Sequence, residues 1–445
     1  MIVRTINDNN IQIEKESLSD VKNLVNKIVD KSLKKLQDEG IFVFPEVLKD
    51  TEDLDDEQFI LKSYNGYYCS SNIMGFIGYG QERLVIKSRF SNDNNDHDYF
   101  LEYLLSKVLD IPNIVDLETN ANNDNKLFNY LLFLFPFYLK QAIRKGLFKQ
   151  YEKHEYNNEN IKGTIDIARH IKSNVPFIGK IAYSQREFSY DNDLIELIRH
   201  TIEYIKTFSY SSQILNKVSS EVKQIVEVTK SYSASDRNKL ISKNFKHPIK
   251  HAYYKEYHSL QQLCLLILTN KSHSIGQGQK KIYGIVFDGS WLWEEYLNIL
   301  IKDEFYHPKN KASKGGQWLF TNSTSKEGLI FPDFIGKNLD NRIIADAKYK
   351  PLDNIKNKDY LQLLAYMFRF DCKKGYFLYP EVSDSDGVTL NLNKGVSYER
   401  NVESRQDIAI TKLGLKISKE SKDYEDFVKT MDANGDKFAI DLISR

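Results

Sequence analysis

The sequence predicts a mixed α+β and α/β multidomain chain: a β-rich N-terminal domain (1–120), a mostly helical middle domain (121–250) and a C-terminal α/β core (251–445). Three observations carry this expectation. Short apolar runs separated by Gly and Asn crowd residues 41–87, as in a small β-rich domain. Stretches with apolar residues at helical spacing fill most of 126–275. Beyond the Gly-rich break Ile275-Gly276-Gln277-Gly278-Gln279, helical and strand-like runs follow one another. The chain has 445 residues, enough for two or three domains, and its 41% hydrophobic content argues for packed cores rather than disorder.

Element by element, residues 17–40 read as one amphipathic helix opening at Ser17 or Ser19 and closing at Gly40. Strand-like runs follow at Ile41–Phe44, Gly66–Cys69, Gly75–Gly80 and Arg83–Lys87. An Asn/Asp-rich turn at 91–96 leads into a helix from Tyr99 to Leu109, and Asn120–Asn125 is a second polar break. Helices are expected over 126–146, 191–207, 211–231 and 251–271, with a possible hairpin within Gly163–Ser189. The most apolar stretch, Leu127 to Leu139, contains Asn129 and Pro136 and is too short to span a bilayer, so it reads as a buried core helix. The tail alternates strands near Thr389–Leu392 and Ile408–Lys412 with a terminal helix near 421–431.

The most informative stretch is 331–348. Two apolar runs flank the turn-rich linker Gly336–Arg342 and read as a β-hairpin. One strand carries Asp333 near its start, after Pro332; the other ends in Asp346-Ala347-Lys348. Strand side chains alternate faces, so Asp346 and Lys348 share one side of the sheet. Two carboxylates beside an ammonium suit a hard, oxygen-seeking divalent cation and an anionic substrate. Such an ion screens a phosphodiester and lowers the pKa of a bound water, while Lys348 offsets developing charge. The apolar run Ile343-Ile344-Ala345 is that of a buried strand, yet it delivers charge at its end. Upstream, Ser290–Leu297 begins an amphipathic helix with Glu294 among apolar residues. Downstream, Asp359–Phe368 is a helix with Gln362 and Tyr366 on one face, followed by the strand-like Gly375–Pro380.

This order resembles the PD-(D/E)xK nuclease superfamily and, more narrowly, the McrC nuclease subunits of McrBC-type restriction systems and their LlaJI-like relatives. The matching residues are Leu292-Trp293-Glu294, Pro332-Asp333, Asp346-Ala347-Lys348 and Gln362-Leu363-Leu364-Ala365-Tyr366, over about 280–380. A weaker likeness runs through Gly163–Ile167, Arg186-Glu187-Phe188 and Asp191. The resemblance implies a restriction-endonuclease-like core in which Asp333 and Asp346 bind Mg²⁺ and Lys348 is the catalytic lysine. It makes Glu294 an additional acid and metal ligand, with helix phase deciding between it and Glu295. Gln362 and Tyr366 would support the site or contact DNA. It further implies an McrB-like AAA+ NTPase partner docking on the N-terminal part, GTP or ATP used only through that partner, and pairing of two copies for double-strand cleavage.

Charge fits such a division of labour. The formal net charge is only +1, from 62 basic and 61 acidic side chains, whereas a stand-alone duplex binder carries a basic excess. Local basic runs at Lys243–Lys255 and Lys348–Lys358 are the candidates for DNA contact, or are simply solvated faces. No Gly-x-x-x-x-Gly-Lys-Ser/Thr occurs, so a P-loop is excluded. Gly75-x-x-Gly78-x-Gly80 lacks the order of a dinucleotide fingerprint and reads as a tight β-turn. Asp432–Asp436 misplaces the glycine of a calcium loop and reads as a helix-ending turn. The nine histidines, His307 included, show no metal-binding spacing and read as structural or exposed. Cys69, Cys264 and Cys372 are too dispersed for a disulfide framework. With no leader-like N-terminus, the expectation is a reduced, soluble, cytoplasmic protein without membrane association. Two rivals stand beside the endonuclease: a non-catalytic adaptor of the NTPase that keeps the fold, and a nuclease of repair or transposition.

Overall fold

The computed structural model describes residues 2–44, 58–91, 98–109, 123–269, 282–308, 315–383, 387–394 and 403–444, the side chains of 123–130 apart. The chain forms two compact units, one of residues 1–119 with 276–445 and the other of 120–275.

The first unit holds two principal sheets. A five-stranded sheet has the order Ile2–Asn7, Glu82–Lys87, Ile73–Tyr79, Ile282–Asp288, Ile41–Phe44. Its fourth strand comes from the far side of the middle segment. Ile282–Asp288 runs antiparallel to Ile73–Tyr79 and parallel to Ile41–Phe44. This strand is apolar and buried on both faces, so pairing inside a sheet removes it from water and satisfies its backbone together. The separate N- and C-terminal domains expected from the sequence are thus joined within one unit.

Gly75 and Gly78 lie inside the Ile73–Tyr79 strand, and only Gly80 occupies the turn to Glu82. Gly75 has φ +134°, and a Cβ there would strike the Ile285 carbonyl of the inserted strand. Here glycine permits both the conformation and the approach. The single helix expected over 17–40 is broken into Lys15–Val21, Lys22–Ile28 and Leu33–Asp38. The interruption lies at Val29–Ser32, where Val29 and Ser32 bridge to Leu61 and Phe59.

The second sheet has the order Phe305–Tyr306, Phe334–Gly336, Ile343–Ala347, Lys374–Glu381, Glu403–Lys416, Val388–Lys394. Ile343–Ala347 pairs antiparallel with Phe334–Gly336 and parallel with Lys374–Glu381. The helix Asn357–Arg369 buries Leu363, Tyr366 and Met367 in a core shared with Ile344 and Phe377. The last helix runs from Tyr424 to Ser444, so Asp432–Asp436 sits inside a helix rather than at its end.

The second unit packs Lys255–Thr269 against Asn123–Ile143 and Asp193–Ile205. That places Lys255–Thr269 in the helical unit, not in the C-terminal core that was expected to start at 251. Buried residues recur on its inward faces from Tyr257 to Leu268, and they bind it to its helical neighbours. Asn192 caps Asp193–Ile205 by accepting from the Leu194 and Ile195 N–H groups. Within 150–190 the strands Gln150–Asn158 and Ile181–Ser189 pair antiparallel over their full length, around a helix at Ile167–Asn174. The expected breaks at 91–96 and 275–279 fall largely or wholly outside the described residues. Among the described residues no helix is long and apolar enough to cross a membrane.

Gly75→Ala tests the insertion of Ile282–Asp288. The variant is expected to lose about 2 kcal/mol or more of unfolding free energy through backbone strain and the carbonyl clash. Urea unfolding measures it, and an unchanged midpoint would show that the inserted strand tolerates a side chain here.

Candidate active site

Two neighbouring strands deliver the candidate acids. Phe334 lies opposite Ala345 and Ile335 opposite Ile344, and one further step of that register sets Asp333 opposite Asp346. The Ala347 N–H donates to Asp333 Oδ2 at 2.8 Å, so the strand bearing one acid holds the other. Asp346 is only 3% exposed. Lys348 Nζ lies 2.5 Å from Asp346 Oδ2 and 3.5 Å from Asp359 Oδ1. Asp346 Oδ2 is buried and is compensated by this ammonium rather than by an aligned hydrogen bond.

The helix Gly289–Ile301 brings Glu294 to the same place. Asp288 opens this helix by accepting from the Ser290 and Trp291 N–H groups. Trp293 Nε1–H donates to the Leu378 carbonyl at 3.0 Å, and the Lys348 N–H donates to that same carbonyl at 2.9 Å. One oxygen therefore ties the helix carrying Glu294 to the strand end carrying Lys348. At Gly289 an added Cβ would lie 2.7 Å from the Tyr349 ring and 2.8 Å from the Asn72 carbonyl, so the helix start packs directly on the residue after Lys348.

Gln362 and Tyr366 act further out. Gln362 Nε2–H donates to the Tyr366 hydroxyl at 2.7 Å, and that hydroxyl donates to the Phe331 carbonyl at 3.2 Å. The pair holds the chain just before Pro332-Asp333. Two residues that sequence reasoning left out complete the cluster. Asp359 accepts from Lys350 Nζ at 2.7 Å and from the Lys356 N–H at 2.8 Å, besides facing Lys348. Its signal was an acid in the first turn of a helix after a lysine-rich turn. His307, expected to be structural or exposed, is largely buried and lies beside the cluster. Its Nδ1 is 2.9 Å from the Asp333 carbonyl, and its Nε2 is 3.6 Å from Glu295 Oε1 and 3.8 Å from Glu294 Oε1. No local pattern marks it, because the edge strand Phe305–Tyr306 brings it there by pairing with Phe334–Gly336.

Electrostatics follow from this crowding. Burial raises the Asp333 pKa well above its ordinary value. The charges of Glu294 and Asp346 add to that rise, against Lys348 and the Ala347 N–H. Burial alone would lower Lys348, but the Asp346 and Asp333 charges outweigh it and hold the ammonium charged. Burial would raise Asp359, yet its bonds to Lys350 and the Lys356 N–H bring it below its ordinary value. His307 is raised: the cost of burial is exceeded by its contacts with Glu295, the Asp333 carbonyl and Glu294. Part of the Lys348–Lys358 run is thus neutralised internally, and in the other basic run Lys243 pairs with Asp193 at 2.7 Å.

Among the described residues no three His, Cys, Asp or Glu side chains are grouped tightly enough to cage a metal ion unaided. Asp333 and Asp346 form a pair, with Glu294 near enough to repel Asp333. An all-oxygen pair fits Mg²⁺, which takes one or two carboxylates, keeps several waters and completes its shell on substrate phosphate.

Because Asp333 is raised in the folded state, its ionised form opposes folding above that pKa. The penalty fades as pH falls toward the ordinary carboxylate range, where both states are protonated. Asp333→Asn keeps the acceptor for the Ala347 N–H and removes the charge. In EDTA at pH 8 it is expected to raise the unfolding free energy by about 1–2 kcal/mol, with a smaller gain at pH 5. Urea unfolding at both pH values decides, and a loss of stability at pH 8 would contradict the charge crowding.

No curated protein is similar enough to match. Two assemblies from Thermococcus gammatolerans are among the solved structures that share likeness. One is a half-complex from a tetradecameric assembly of McrB AAA+ hexamers with bound McrC, with 14% identity, 97% of this chain and 99% of that chain covered, and a TM-score of 0.39. The other is the McrBC complex, with 11% identity, coverage of 69% and 89%, and a TM-score of 0.31. The model of the family described as McrBC 5-methylcytosine restriction system component matches residues 70–380, a span that contains Glu294, His307, Asp333, Asp346, Lys348, Gln362 and Tyr366. The chain belongs to the McrBC 5-methylcytosine restriction system component family.

Proposed function

We propose that this chain is the McrC-like nuclease subunit of its restriction system and hydrolyses DNA phosphodiester bonds with Mg²⁺, through a PD-(D/E)xK core. The observation that carries this reading is the juxtaposition of Asp333 and Asp346 on adjacent strands, with the Lys348 ammonium 2.5 Å from Asp346. Asp333 and Asp346 would hold the ion, with Glu294 as a further acid. Bound there, Mg²⁺ supplies charge screening and a more acidic water. Lys348 is kept charged by Asp346 and Asp359 and faces the place where a scissile phosphate meets the carboxylates, so its ammonium offsets charge that builds in the transition state. Asp359 prevents Lys348 from relying on Asp346 alone. Gln362 and Tyr366 fix the main chain ahead of Asp333 and so set its reach.

An AAA+ NTPase partner of the McrB kind would supply recognition and movement along DNA, and the only triphosphate site. The near-balanced charge of this chain and the McrB–McrC assemblies of Thermococcus gammatolerans support that division. Cutting both strands takes two such sites, hence two copies.

Asp346→Ala is expected to abolish cleavage while assembly with the NTPase and DNA binding persist. Lys348→Met should lower the cleavage rate about 10²–10³-fold. Plasmid cleavage with partner, triphosphate and Mg²⁺, beside gel filtration of the complex, checks both. Metal-dependent cleavage surviving in Asp346→Ala would remove the site, and a wild-type complex that never cuts would favour the adaptor.

A further inference from the structure

We infer that His307 is a positioning residue that fixes the spacing between Asp333 and the acidic helix carrying Glu294. The inference rests on the carboxylate pair being the metal site proposed above.

His307 touches both sides of that site. Its ring stacks on Phe334, the residue after Asp333, with centroids 5.1 Å apart and planes inclined at 27°. Its Nδ1 meets the Asp333 carbonyl at 2.9 Å, and a carbonyl only accepts, so Nδ1 carries a proton. The opposite edge of the same ring, Nε2, faces the carboxylates of Glu294 and Glu295 at 3.8 and 3.6 Å. The side chain is 13% exposed, so its orientation is set by packing. A rigid five-membered ring thus spans from the main chain of one acid to the side chains of the helix that brings the third. The ring couples the two elements against the like charges of Asp333 and Glu294, which drive them apart.

Charge alone predicts the reverse. A ring protonated on both nitrogens beside a metal site would repel the incoming ion, and its removal would then tighten binding. The two effects have opposite signs, which makes the role decidable.

The experiment uses the full chain and Mn²⁺ as probe, titrated by electron paramagnetic resonance, with thermal unfolding alongside. His307→Phe keeps the ring on Phe334 and removes both polar edges. It is expected to weaken Mn²⁺ binding about 10–100-fold, and to move the Mg²⁺ concentration for half-maximal cleavage upward with it. His307→Asn keeps a donor toward the Asp333 carbonyl and should recover part of that loss. Should the Phe variant fail to fold, the Asn variant carries the test with an expected weakening of about tenfold. Binding within twofold of wild type, or tighter, in whichever variant carries the test overturns the inference. Asp346→Ala separates the two levels of the argument. If it loses Mn²⁺ while His307→Phe retains it, only the positioning role fails; if it binds Mn²⁺ like wild type, the metal-site reading fails and takes this inference with it.

Discussion

A single carbonyl oxygen organises the candidate site. Leu378 O receives the Trp293 indole N–H and the Lys348 N–H, and by doing so it joins a helix, a central strand and a strand end at one point. Carbonyl oxygens have two lone pairs, and a buried one left half-used would be tolerated. Here both are used between elements distant in sequence. Glu294 follows Trp293 directly, so the indole sets where that acid stands. Lys348 is held at its own backbone, so its ammonium has a fixed base from which to reach Asp346 and Asp359.

Behind this point lies a second buried polar group of a different kind. Tyr349 is enclosed by the N-terminal part of the chain: its ring lies 4.5 Å from the Arg89 guanidinium and parallel to Phe100 of the helix Tyr99–Val108, and its hydroxyl points to Met74 of the strand Ile73–Tyr79. Arg89 in turn binds Asp8 through its backbone N–H at 2.6 Å and its guanidinium at 3.4 Å. Burial pushes the Asp8 carboxyl up to about 6 despite Arg89. The residue next to the candidate catalytic lysine is thus packed by the N-terminal third of the chain. The first and last thirds of the chain share one mechanical element, although the sequence separates them.

Much of the site was legible because its signal is local. Pro332-Asp333 and Asp346-Ala347-Lys348 lie at the ends of two runs joined by a turn, and the alternation of a strand settles which side chains share a face. Glu294 was legible only up to helix phase, and the structure leaves both Glu294 and Glu295 beside His307. Asp359 carried only the weak local signal of an acid in a first helical turn beside lysines, whereas His307 escaped because an edge strand brings it to the cluster. The same reason hid the strand Ile282–Asp288, whose partners lie some two hundred residues upstream along the chain. The helix over 17–40 failed differently: its apolar spacing is continuous, but bridges to Phe59 and Leu61 interrupt it. Local preference yields there to sheet formation.

The inserted strand has a consequence for the order in which the protein assembles. Translation delivers Ile41–Phe44 and Ile73–Tyr79 early, yet the segment that lies between them arrives only after the entire helical unit has been made. Until then both carry open edges, the kind of surface that invites pairing with other chains. A nascent or truncated N-terminal fragment can pair Ile2–Asn7, Glu82–Lys87 and Ile73–Tyr79, but it lacks the strand that joins Ile41–Phe44 to them. The same event that closes that sheet also launches the Gly289–Ile301 helix, so a copy with a finished N-terminal sheet has its acidic helix in place.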